Sequence, residues 1–132
     1  MMTLQGKKAL VTGSSLGIGR AIALQLAEAG AEVVIHYRNQ QQEAEAVAET
    51  IAKQGGKAHL LQADLQETAQ ALTLAAQAWE ISNGLDFLIN NAGVSYKKHF
   101  LDISEADFDL FTQVNFKSTL FLTQAIARRM VE

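Results

Sequence analysis

The stretch Thr12-Gly13-Ser14-Ser15-Leu16-Gly17-Ile18-Gly19 restricts the fold more than any other part of the chain. It follows the short apolar run Lys8-Ala9-Leu10-Val11, and beyond it Ile18, Ile22 and Leu26 recur every four positions until Gly30. A short apolar run closed by glycine reads as a buried strand, and the change of period reads as a helix with one apolar face, stopped by a glycine. A helix entered through a glycine-rich turn presents unpaired backbone N–H groups at the positive end of its dipole. That arrangement suits an anion; the same glycines also suit a sharp strand-to-helix bend without a ligand.

The alternation continues. Residues 33–35, rich in β-branched side chains, read as a second buried strand, and Ala44, Val47, Ala48 and Ile51 mark an amphipathic helix ended by Gly55-Gly56. Residues 57–63 are a third strand candidate, Leu72, Ala75, Ala76 and Trp79 fall on one face of a third helix, and residues 85–90 form the fourth strand. Ser104 and Asp107 resemble a capping box, after which Leu110, Val114, Phe121, Leu122 and Ala125 give a last helix its apolar side. Strands alternating with helices imply parallel pairing and right-handed crossovers, hence an α/β fold with a Rossmann-like doubly wound sheet. The sheet is expected to stop at its fourth strand and the helix after it. The edge at Phe87, Leu88 and Ile89 would then be open to other chains.

Length and composition allow one domain over residues 1–132: 48% of the residues are hydrophobic and 19% charged, a globular balance. A net charge of −3 argues against a nucleic-acid or anionic-membrane surface, which would need a Lys/Arg excess. There is no cysteine, which excludes disulfides and a thiol nucleophile and suits a reducing cytosol. The opening residues lack the apolar core of a signal peptide and no segment reaches the length of a membrane span, so a soluble cytoplasmic protein is expected. His36, His59 and His99 lie far apart at strand-end or loop positions, and no metal site is expected.

Three further positions fall where doubly wound sheets bind ligands, at the carboxyl ends of the strands. After the second strand stand His36, Tyr37, Arg38 and Asn39, with no acid to hold a ribose 2′-hydroxyl and with an arginine fork suited to a phosphate. A solvated arginine at a strand end is the alternative. Asp64-Leu65 follows the third strand, where Asp64 reads equally as a cap or turn residue. Asn90-Asn91-Ala92-Gly93 follows the fourth, as a cofactor wall or an Asx turn.

Taken in order, Thr12-Gly13-x-x-x-Gly17-Ile18-Gly19, Asp64, Asn90-Asn91-Ala92-Gly93 and Val114-Asn115 resemble the successive N-terminal signatures of the short-chain dehydrogenase/reductase family. The surroundings look most like its 3-oxoacyl-acyl-carrier-protein reductase and glucose dehydrogenase branches. The resemblance implies hydride transfer between NADP(H), favoured over NAD(H), and a small carbonyl or alcohol substrate. It implies cofactor contacts from Gly13, Ser15, Leu16, Gly17, Ile18 and Gly19 around the pyrophosphate. Ser15 and Arg38, with Tyr37 beside them, would face the 2′-phosphate, and Asp64 with Leu65 would hold adenine. Asn91, Ala92, Gly93 and Val114 would complete the wall, and Asn115 would anchor a water in the proton relay. Family members often associate as homo-oligomers.

The family also places a Ser and a Tyr-x-x-x-Lys beyond the helix bearing Asn115. Among these 132 residues only Tyr37 and Tyr96 are tyrosines, with Gln41 and Phe100 four positions on. A phenol needs a nearby cation before it can exchange protons near neutrality. Lys97 and Lys98 beside Tyr96 read as a solvated basic turn. The chain alone is therefore expected to be inactive, as the cofactor-binding portion of such an enzyme. A non-catalytic nucleotide-binding module that regulates a partner, or half of a two-chain assembly, are the alternatives.

Overall fold

The computed structural model describes residues 3–132. The elements in chain order are β1 (Lys8–Val11), α1 (Gly17–Glu28), β2 (Glu32–Tyr37), α2 (Gln41–Lys53), β3 (Ala58–Gln62), α3 (Thr68–Ser82) and β4 (Phe87–Ile89). A short 3-10 turn (Phe100–Asp102) then leads to α4 (Glu105–Thr112), which runs through a π-helical turn (Gln113–Ser118) into α5 (Thr119–Met130). All strand pairs are parallel and the order is β3-β2-β1-β4. The chain therefore moves outward from β1 through β2 to β3, then returns to the other side of β1. That reversal opens a crevice at the carboxyl ends of β1 and β4, the place where such sheets bind ligands.

Side chains alternate across each strand, so the two faces of the sheet feed two cores. Val11, Val33 and Ile35 pack with Ala23, Ala44, Val47 and Ile51 of α1 and α2. Leu10 and Val34 pack on the opposite face with Leu74, Ala75, Leu122 and Ile126 of α3 and α5. Each fully buried Leu or Ile of this kind contributes about 1.5–3 kcal/mol.

Two helices present a different face from the one the apolar spacing suggests. In α1 the buried residues are Gly19, Ala23 and Ala27, while Ile18 is 75% exposed and Ile22 and Leu26 are half-buried on the flank. The cause is close approach: a Cβ on Gly19 would lie 2.3 Å from the Gly13 carbonyl oxygen, so the helix meets the sheet through its smallest side chains. In α3 the buried row is Ala71, Leu74, Ala75, Ala78 and Ser82, with Leu72 and Ala76 turned to solvent. Small residues there fit a helix wedged between the sheet and α5.

The capping box at Ser104 is present in both halves: Asp107 N donates to Ser104 Oγ at 3.1 Å and Ser104 N to Asp107 Oδ2 at 3.0 Å. The single last helix expected from the sequence is instead two helices joined by the π-helical turn, within which Val114 and Ser118 are buried. A π turn inserts a residue into the helical register, which a spacing of apolar residues does not reveal.

Candidate functional site

The ends of three strands are stitched together around the glycine turn. Thr12 Oγ1 accepts from Asn91 N at 3.0 Å and Ala92 N at 2.9 Å, while Asn91 Nδ2 donates to the carbonyls of Thr12 and Gly13, both at 3.0 Å. On the other side, Ser14 Oγ donates to Val11 O at 2.7 Å and accepts from His36 N at 3.1 Å, and Ser14 N donates to His36 O at 3.0 Å. The His36 ring accepts from Gly13 N at Nδ1 (2.9 Å) and lies 2.9 Å from Ala63 O at Nε2. His36 is buried, and burial holds its pKa below 6.5 against an opposing pull from the Ala63 carbonyl. The loop is thus fixed by side chains from β2 and from the segment after β4.

The turn itself needs glycine at two positions, Gly13 at φ +62° and Gly17 at φ +58°. At Gly17 an added Cβ would meet nothing within 4 Å, so the turn is open where the helix begins. Leu16 caps α1 without a side-chain hydrogen bond, and the first turn holds no acid. Its amides and the positive end of its dipole therefore remain available to an external anion.

Beyond this turn, a cavity of about 340 Å³ lies along the carboxyl edge. Of the residues singled out in the sequence, Gly13, Ser15, Leu16, Tyr37, Arg38, Asp64, Leu65, Asn91, Ala92, Gly93 and Val114 all line it. Gly17, Ile18, Gly19 and Asn115 do not: the first two sit at the helix start facing outward, and Gly19 is buried under the turn. Asn115 acts from behind the wall, its Oδ1 accepting from Val94 N and its Nδ2 donating to Val94 O, both at 2.7 Å. It pins the segment after β4.

The arginine is not idle. Arg38 Nε lies 3.7 Å from Asp64 Oδ1, and with the Gln66 amide oxygen turned toward it that oxygen accepts from both terminal guanidinium nitrogens at 2.7 and 2.8 Å. Ser15 Oγ donates to Gln40 Oε1 at 3.2 Å, and both residues line the same cavity. Asp64 also serves its turn, with Oδ1 accepting from Gln66 N at 2.9 Å. The ligand-facing and turn-forming readings of Asp64 are therefore compatible. The sequence reading placed His36 at the end of the second strand but gave it no role, and it missed Gln40 and Gln66; a histidine directly after Val33-Val34-Ile35 was the available signal for the first, while the two glutamines carried none.

No tyrosine is paired with a lysine in an acid/base arrangement among the described residues. Tyr96 Oη is buried with no hydrogen-bond partner there, and Lys98, 5.8 Å from the Tyr96 ring centroid, is committed to Asp107 at 2.5 Å. Among the described residues there is no group of three or more His, Asp or Glu side chains placed to hold a metal, and no helix long and apolar enough to cross a membrane.

The family model described as short chain dehydrogenase matches residues 7–132. L-rhamnose 1-dehydrogenase (NADP(+)) of Thermoplasma acidophilum is 40% identical over 132 residues, which are 100% of this chain and 52% of that protein. The 3-oxoacyl-[acyl-carrier-protein] reductase of Aquifex aeolicus is 42% identical over 98% of this chain and 52% of its own length. Among solved structures, a short chain dehydrogenase from Burkholderia cenocepacia in complex with NADP superimposes with a TM-score of 0.91 at 40% identity, covering 95% of this chain and 51% of that one. The chain spans about half the length of the curated relatives it matches.

Proposed function

Since this chain belongs to the short-chain dehydrogenase/reductase family, we propose that residues 1–132 form one nucleotide-binding domain that takes NADP(H) in preference to NAD(H). The observation that carries this reading is that Arg38 and Ser15 both line the carboxyl-edge cavity, into which the glycine turn before α1 also opens, with no acid at the end of β2. An acid there would repel a 2′-phosphate and bind a free 2′-hydroxyl; a guanidinium does the reverse. The similar proteins whose names or descriptions include NADP support the same choice.

In this reading the amides of residues 17–19 hold the pyrophosphate, Arg38 and Ser15 the 2′-phosphate, and Asp64 and Leu65 the adenine. Asn91, Ala92, Gly93 and Val114 wall the ribose, with Tyr37 flanking the phosphate end. Binding requires Arg38 to exchange its contacts with Asp64 and Gln66 for the phosphate, so part of its gross attraction is offset. When bound, the nicotinamide supplies or accepts a hydride opposite a small carbonyl or alcohol. Asn115 supports the proton path by fixing the segment at Val94. The 132-residue chain alone does not turn over, because it carries no phenol with a neighbouring lysine free to exchange a proton. Copies of the protein associate through the sheet edge at Phe87, Leu88 and Ile89, where β4 pairs on one side only.

Calorimetry with 2′,5′-ADP, NADP and NAD, repeated on Arg38→Asp, tests the reading. A charge-assisted hydrogen bond contributes ~1.5–3 kcal/mol, so the parent should prefer the phosphorylated nucleotide by roughly 10- to 100-fold. Arg38→Asp should abolish that preference. Equal affinity for NAD and NADP in the parent, or an unchanged ratio in the variant, contradicts it.

A further inference from the structure

We propose that His36 is the positioning residue of the glycine turn: its uncharged ring, protonated on Nε2 only, holds the Gly13 amide and so sets the anion site at the start of α1. The choice of proton follows from the two partners. A carbonyl can only accept, so Nε2, 2.9 Å from Ala63 O, carries the hydrogen. A backbone amide can only donate, so Nδ1, 2.9 Å from Gly13 N, must present its lone pair. A second proton would set N–H against N–H across that contact.

The backbone of the same residue reinforces the tie. His36 N donates to Ser14 Oγ and His36 O accepts from Ser14 N, so backbone and ring together grip two successive residues of the turn. Gly13 stands at φ +62°, and Asn91 holds its carbonyl from the other side. The peptide on each side of Gly13 is therefore fixed, and with it the direction in which the chain enters α1. None of the family signatures in the sequence includes this position.

The surroundings do not supply a charge to stabilise an imidazolium. Arg38 follows β2 beyond the ring and Glu32 stands at the strand's far end, the latter engaged by Lys57 and His59. Asp64, following β3, already meets Arg38 and the Gln66 amide. β1 offers only Lys8 at its opposite end; the turn and the first residues of α1 offer only Arg20, which is exposed. Glu43 and Glu45 of α2 are exposed as well. Burial dominates over the opposing pull of the Ala63 carbonyl and lowers the ring's pKa from its ordinary value, favouring the neutral form.

The consequence for binding rests on the nucleotide reading given above; the geometry of the turn does not. The full 132-residue chain is compared with His36→Asn, whose Oδ1 can replace the Nδ1 acceptor but cannot titrate, and His36→Leu, which has no acceptor. Ring ¹⁵N spectra of the parent should show the Nε2–H form, and the Gly13 amide should exchange with solvent faster in His36→Leu than in His36→Asn. Affinity for 2′,5′-ADP at about pH 8 should fall roughly tenfold in His36→Leu and recover to within about threefold in His36→Asn. Wherever the ring spectra show the parent taking a second proton, its affinity should fall with that step, whereas His36→Asn should show only the ligand's own phosphate titration. If His36→Leu does not fold, His36→Gln, which reaches Ala63 but not Gly13, takes its place. An Nδ1–H or charged ring at pH 7, unchanged Gly13 exchange in His36→Leu, or a parent that keeps full affinity once its ring spectra show the charged form overturns the proposal. Failure of the parent to bind any adenine nucleotide overturns the nucleotide reading instead, and the ring spectra and amide exchange still decide the role of His36.

Discussion

The two ends of the sheet each carry a hollow bordered by glycines, and what surrounds the space separates them more than its size does. The amino-end hollow, bordered by Lys7, Lys8, Glu28, Gly30, Glu32, Gly55, Gly56 and Lys57, is the larger, about 590 Å³ against about 340 Å³ at the carboxyl end. Yet α1 and α2 finish there, so it faces the carbonyl, negative ends of their dipoles. Its one carboxylate nearest the strands is already engaged, with Glu32 meeting Lys57 at 3.4 Å and the His59 ring at 3.1 Å. At the carboxyl end α1 begins, uncapped by any side chain, beside an arginine. Helix direction and unspent donors, rather than volume, separate a ligand site from a gap.

Glycines give the largest contrast. Gly19→Val should remove nucleotide binding and cost roughly 2–3 kcal/mol of stability, because its Cβ would meet Gly13 O at 2.3 Å and Asn91 Nδ2 at 2.4 Å. Gly55→Ala at the other end meets only open space, though at φ +82°, and should cost about 1–2 kcal/mol with binding intact. Denaturant melts and calorimetry on both variants would break the comparison if Gly55→Ala impaired binding as much as Gly19→Val.

Charge gives the next. Arg38→Asp is expected to erase a 10- to 100-fold phosphate preference, whereas Lys57→Ala, which loses the contact of an exposed ammonium with Glu32 at the opposite end of the sheet, should leave nucleotide affinity within about twofold. Parallel titrations with 2′,5′-ADP decide it.

Acid gives the smallest and separates two windows. His36 has a folded pKa lowered by burial, so the unfolded chain binds its proton first; the stability it contributes is complete above about 6.5 and is lost as pH falls from there toward the folded value. Asp107 is lowered by the hydrogen bond from Lys98 and then by the Ser104 amide, so its contribution is complete above the ordinary carboxylate range and fades at lower pH still. Melts as a function of pH should lose the first slope in His36→Asn and keep the second.

Much of this was legible in the sequence, for identifiable reasons. Apolar runs and glycine stops located all four strands, because a strand buried on both faces must be apolar throughout. The turn at residues 12–19 located the site because close backbone approach requires glycine. The helix faces were less legible: the strongest apolar residues of α1 and α3 were assigned to the core, but close packing chose Ala23, Ala27, Ala71 and Ala78 instead. The π turn at Gln113–Ser118 left no trace in the spacing. Nor did the pairing of Arg38 with Gln66, which depends on two turns that only the folded sheet brings together.

The central claim is that the carboxyl end of the sheet binds the adenosine 2′-phosphate half of the cofactor. Amide chemical-shift mapping of the 132-residue chain titrated with 2′,5′-ADP tests it most directly. The account predicts saturable shifts at residues 15–19, Arg38, residues 64–66 and residues 91–93, with Lys57, Gly55 and Gly30 unmoved. Shifts centred on Gly30, Gly55 and Lys57, or none at any nucleotide concentration up to the millimolar range, would contradict it.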